Sequence, residues 1–133
     1  MFEKKINKNY LKLSKIIYGG EFYLELNNYK LKEINTSKFT KTVDSLLKEK
    51  GNTDFYSYKN EETGFVANVF ENENELVIAY RGTERLGLGE NISDINAFIK
   101  DVFAIFAGNF NYWIIWSYFY SRINFFLIKQ LRC

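Results

Sequence analysis

Ile6, Tyr10, Leu13 and Ile17 recur at the spacing of a helix face, with lysines between them and Gly19-Gly20 after them. The pattern predicts an amphipathic helix over 6–18, stopped by the glycine pair. Phe39, Val43, Leu46 and Leu47 give a second apolar face, which predicts a helix over 38–50, with Ser37 to cap its start and Gly51 to end it.

The period then changes. Residues 54–59, 64–71 and 75–80 are short, aromatic and β-branched, and the polar turns Asn-Glu-Glu-Thr and Asn-Glu-Asn separate them. Two hairpins joining three antiparallel strands are the natural reading. The third strand, Leu76 to Tyr80, is apolar on both faces, as a central strand covered on both sides would be. A glycine-containing loop follows, and then a helix over about 92–107. Ile95, Phe98, Ile99, Val102 and Phe106 share one of its faces, and Asn91 with Asp94 resembles a capping box.

The segment from 108 onward breaks the pattern. From 102 to the end there is no Asp or Glu, and the apolar residues run together without an amphipathic face. Residues 1–107 are therefore expected to form one structural unit and 108–133 an apolar aromatic tail.

Composition narrows the function. The net charge of +2 is too small to imply nucleic-acid binding, and no basic stripe interleaves with aromatics. The chain contains no histidine, which removes His-based acid–base catalysis and His metal ligands. Cys133 is the single cysteine, so no disulfide can form within the chain. The basic N-terminus lacks an uninterrupted apolar core and does not read as a secretory signal. A cytoplasmic or membrane-associated protein is expected.

Residues 64–84, GFVANVFENENELVIAYRGTE, resemble the central signature of class 3 lipases and related lipase-like α/β-hydrolases. There a hairpin leads into a buried strand that ends in an aromatic-Arg-Gly-Thr turn, here Tyr80-Arg81-Gly82-Thr83. The stretch YLKLSKIIY and the helix start NISDINAFIKD fall where the family has its flanking helices, so the resemblance covers roughly residues 7–107. It implies an α/β fold: the N-terminal half of an α/β-hydrolase sheet, with three antiparallel strands flanked by helices. It also implies hydrolysis of carboxylic, lipid acyl esters by a serine nucleophile, with no cofactor and no metal. The position of Thr83 would assist the oxyanion. Arg81 and Gly82 would support the turn, with Glu84, Glu90 and Asp94 as candidate partners for Arg81.

The turn also has a reading that needs no family. Backbone leaving the carboxyl end of a central strand enters the crevice where α/β proteins hold ligands. Gly82 permits a tight bend there. Thr83 offers an N–H and a hydroxyl of the kind that stabilises a tetrahedral oxyanion. A strand followed by Arg-Gly-Thr is equally an ordinary strand and turn, and Asp94 and Asp101 read as a solvated helix face or a helix-dipole partner.

The departures from the family decide activity. A triad requires G-x-S-x-G, an acid and a histidine. None of the serines has the flanking glycines, and the histidine does not exist. Losing the base removes several orders of magnitude of rate, so the chain is expected to be inactive alone, unless a downstream fragment supplies the triad in trans. There is no P-loop, no zinc cluster and no calcium-loop spacing.

The tail leaves three readings open. A frameshift in an AT-rich gene produces such a Phe/Tyr/Ile/Asn-rich run, making the chain a truncated or frameshifted product. Residues 102–121 carry no charge and are long enough for a membrane helix, though Gly108, Asn109 and Asn111 fall inside. On that reading the chain is a non-catalytic, membrane-associated or interaction module using 102–128. The third reading is a buried core helix or strand.

Overall fold

The computed structural model describes residues 8–81, 92–105, 111–120 and 123–131. Among them one mixed sheet of seven strands runs β2-β3-β4-β5-β6-β7, with β1 paired to β4 beside β3. The strands are β1 (Lys30–Leu31), β2 (Thr40–Val43), β3 (Tyr56–Lys59), β4 (Val66–Glu71), β5 (Glu75–Arg81), β6 (Asn111–Tyr120) and β7 (Ile123–Leu131). Three α-helices, α1 (Lys8–Ile16), α2 (Ser45–Glu49) and α3 (Ile92–Ile105), and a 3-10 segment, Gly20–Glu25, complete it.

The three expected strands are β3, β4 and β5, an antiparallel meander. β5 is central, as its two-sided apolar sequence requires. Leu76, Ile78 and Tyr80 join the core beneath Ile95, Phe98 and Val102 of α3, whereas Val77 and Ala79 join the opposite core beneath Tyr10, Leu13 and Ile16 of α1. The alternation follows from the two-residue period of a strand. In the α3 core, Phe98 meets Phe39, Phe65 and Tyr58 at 5.3, 5.7 and 5.9 Å between ring centres. Each such pair adds about 0.5–1.5 kcal/mol beyond its burial.

α1 runs alongside β5 in the same direction. Tyr10 donates its hydroxyl to Glu75 at the start of β5, and the ring of Tyr18 lies under the Arg81 guanidinium at its end. Gly19 then turns the chain at φ 81 and ψ −155, a region open essentially to glycine.

Two expectations are corrected. The helix over 38–50 is instead the strand β2 followed by the short helix α2. Thr40, Thr42 and Val43 are β-branched and suit the strand, which pairs with β3 from Thr40↔Lys59 to Val43↔Tyr56. Asp44 caps α2 by accepting the Leu47 N–H at 3.0 Å. Phe39 and Leu47, assigned to one face, lie in the two cores on opposite sides of the sheet, and Leu46 is 62% exposed.

The second correction concerns the tail. A helix over 102–121 does not form: α3 ends at Ile105 and 111–120 is the strand β6. β6 pairs in parallel with β5, from Glu75↔Asn111 to Arg81↔Ser117, and antiparallel with β7. Strands with no polar face carry no alternation, so this segment had no readable period. Among the described residues no helix is long and apolar enough to cross a membrane.

Candidate functional site

β5, α3 and β6 form a β–α–β unit; β5 ends at Tyr80-Arg81, and its parallel pairing with β6 ends there against Trp116-Ser117, three residues before β6 itself ends at Tyr120. In open α/β sheets this is where a crevice forms. Gly82 and Thr83, the remainder of the turn, lie outside the described residues, as do Glu84, Glu90 and Asn91.

Arg81 follows the alternation of β5 onto the α1 face. Its guanidinium sits 5.6 Å from the centre of the Tyr18 ring, a cation–π contact that ties the strand tip to the end of α1. Asp94 takes different partners. It is buried in the first turn of α3, where it accepts from the Thr63 hydroxyl and, at 3.5 Å, from Asn60 Nδ2. Asn60 Oδ1 in turn accepts the N–H of Glu62 and Thr63. Asp94 therefore fastens the β3–β4 turn to α3 and is not a solvated residue. Asp101 accepts from Thr36 at 2.7 Å, holding the 32–37 segment against the same helix.

Two shallow clefts border α3. One, of about 480 Å³, is lined by Lys38, Thr40, Asn60, Glu61, Glu62, Thr63 and Asp94. The other, of about 400 Å³, lies among Ser37, Lys38, Asn96, Ala97, Lys100 and Asp101. Neither is lined by Tyr80 or Arg81; Lys38 borders both, and Asp94 in the one and Asp101 in the other are already engaged in holding α3. No group of His, Cys, Asp or Glu among the described residues is arranged to hold a metal.

What sequence reasoning missed is a pair of donors near the end of the β5–β6 pairing. Tyr80 and Trp116 are register partners across β5 and β6, and their rings meet edge to face at 5.4 Å. The Tyr80 hydroxyl and the Trp116 indole nitrogen are both buried without a hydrogen-bond partner among the described residues. An orphaned buried donor costs about 1–3 kcal/mol, so two adjacent ones need a reason. Burial alone pushes the Tyr80 phenol well above its ordinary ionisation range, which keeps its proton in place. The polar tip of Tyr80 ending an apolar strand was a visible signal; its meeting with Trp116 depends on a register that the sequence does not display.

Scans of protein-family models, curated proteins and solved structures return no match to this chain. The class the coordinates define is thus an α/β protein with a mostly open mixed sheet between helices.

Proposed function

We propose that the chain is a lipase-like α/β half-domain, carrying the oxyanion side of an ester-hydrolase site and unable to complete hydrolysis by itself. The observation that supports this reading is the junction at Arg81. A central strand, covered on both faces, ends in Tyr80-Arg81 beside a parallel neighbour, and Gly82-Thr83 follow next in the sequence. Substrates would be carboxylic esters with apolar acyl chains. Thr83 would donate to the developing oxyanion, with Gly82 giving it close approach and Arg81 bracing the strand tip. No serine lies in a G-x-S-x-G context and no histidine exists to take its proton.

Two measurements test the proposal. Purified protein given a p-nitrophenyl ester is expected to show no turnover above buffer, and turnover blocked by a serine-directed reagent would overturn the inactivity. The DNA following the codon for Ala107 is expected to encode a G-x-S-x-G segment in one of its three frames. If no frame does, the truncated-lipase reading fails.

A second reading, a non-catalytic interaction module built on the C-terminal aromatic segment, is favoured by the position of β7. It is an outer strand of the sheet, and among the described residues nothing pairs with its far edge. An open strand edge is a template for adding another strand. Concentration-dependent association in sedimentation would support this reading, and a monomer at all concentrations would remove it.

A further inference from the structure

Tyr80 is 2% exposed, and the surroundings of its ring are apolar: Phe65 stacked at 5.8 Å, Trp116 at 5.4 Å, and Ile95 and Phe98 in the same core. Phenylalanine would fill this place without stranding a hydroxyl. The indole N–H of Trp116 can only donate, and the neutral phenol beside it also has a proton to donate. Neither gives that proton to any group among the described residues. Tyr80 lies next to the carboxyl end of β5, and Trp116 is its register partner in the neighbouring parallel strand β6.

We propose that the Tyr80 hydroxyl and the Trp116 indole N–H form a two-donor subsite for the carbonyl oxygen of a neutral acyl compound, whose chain lies against Phe65, Phe98 and the indole ring. Two donors select an acceptor and exclude a cation. The surroundings select a neutral acceptor, because an ionised carboxylate or phosphate in an apolar pocket needs a counter-charge. The nearest cation along the strand, Arg81, lies on the opposite face of the sheet over Tyr18. The subsite is closed in the free protein, so binding must part the Tyr80–Trp116 ring pair. The acyl identity rests on the lipase-like reading, whereas the orphaned donor pair does not.

The test uses the full chain and a ketone, 2-nonanone, which cannot be hydrolysed, so that binding is read independently of turnover. The ketone is expected to move the Trp116 indole N–H resonance downfield in a saturable titration, and ionised octanoate to move it little. Tyr80→Phe is expected to weaken ketone binding about tenfold, the effect of one lost hydrogen bond. The same variant is expected to raise the melting temperature of the ligand-free protein, because it removes the stranded hydroxyl. An indole resonance that ignores the ketone would overturn the proposal, as would equal affinity in Tyr80→Phe. So would a Tyr80→Phe protein that melts lower, since that would show the hydroxyl already satisfied by an ordered water. The titration of the unaltered protein decides the matter even if the variant fails to fold. Ester turnover by the chain would refute its inactivity and leave this subsite standing.

Discussion

The hydroxyl of Tyr29 donates to Glu75 Oε1 at 2.5 Å, while Tyr10, from α1, donates to the other carboxylate oxygen at 2.6 Å. One carboxylate at the start of β5 thus gathers the helix before the Gly19 turn and the segment after it. Hydrogen bonds to a charged group are worth about 1.5–3 kcal/mol. Tyr29→Phe is therefore expected to lower stability by about 2 kcal/mol. Glu75→Ala, which strands two buried hydroxyls, should cost more, about 3 kcal/mol. Urea unfolding measures both, and equal, negligible effects would mean that the clamp holds nothing together.

Alkaline pH should loosen the fold before it affects anything else. Burial, followed by the bond to Glu75, raises the ionisation of Tyr29 well above the ordinary tyrosine value. Burial also pushes Tyr56 up to about 12 and raises Tyr58. A raised folded-state value means stability that is whole below the unfolded value, near 10, and declines as pH rises toward the folded one. The melting temperature should accordingly be insensitive to these groups at neutral pH and fall above about pH 10. Tyrosinate absorbance and circular dichroism recorded together check this: ionisation of these rings should accompany unfolding and not precede it.

Gly19→Ala should be costly. The backbone there has φ 81, and an added Cβ would collide with the Asp44 carboxylate that caps α2. The conformation alone costs a non-glycine residue about 1–3 kcal/mol, and a displaced cap adds about 1 kcal/mol. Gly51→Ala is the comparison. It shares a positive φ, 83, and its Cβ would meet nothing within 4 Å. A loss at Gly19 no larger than at Gly51 would exclude the Asp44 collision.

Leu46 and Leu47 separate the helix that sequence periodicity suggests from the strand–cap–helix that forms. Leu47 is 3% exposed and Leu46 62%. Leu47→Ala should cost about 2–5 kcal/mol, and Leu46→Ala should fall within about 0.5 kcal/mol of neutral. Comparable losses at both positions would restore the single amphipathic helix.

These positions also show what the chain discloses about itself. α1 and α3 were legible because each buries one face against the sheet, and the β3–β5 meander because short aromatic and β-branched runs stand between polar turns. Residues 38–50 misled because Phe39 and Leu47 enter opposite cores. Their spacing imitates one helix face only if the sheet between them is ignored. In β6, Tyr112 and Ile114 enter one core while Trp113 and Ile115 pack on the other, leaving no polar position to mark a period. Of the candidate site, Arg81 could be named from sequence but its face could not, and the Tyr80–Trp116 pair required the parallel register.

That register also sets an order of events. Ile78 pairs with Ile114 only after α3 has been made and folded back, whereas its other partner, Val69, is a hairpin away. The meander and α1 can assemble early, leaving the strand that carries Tyr80 bare along one side until the later segment arrives. Long-range parallel pairing is slow, so the last step in folding should be the one that brings Trp116 to Tyr80. Stopped-flow indole fluorescence should therefore lag behind the recovery of backbone dichroism, and the seam between β5 and β6 should be the last part of the protein to mature.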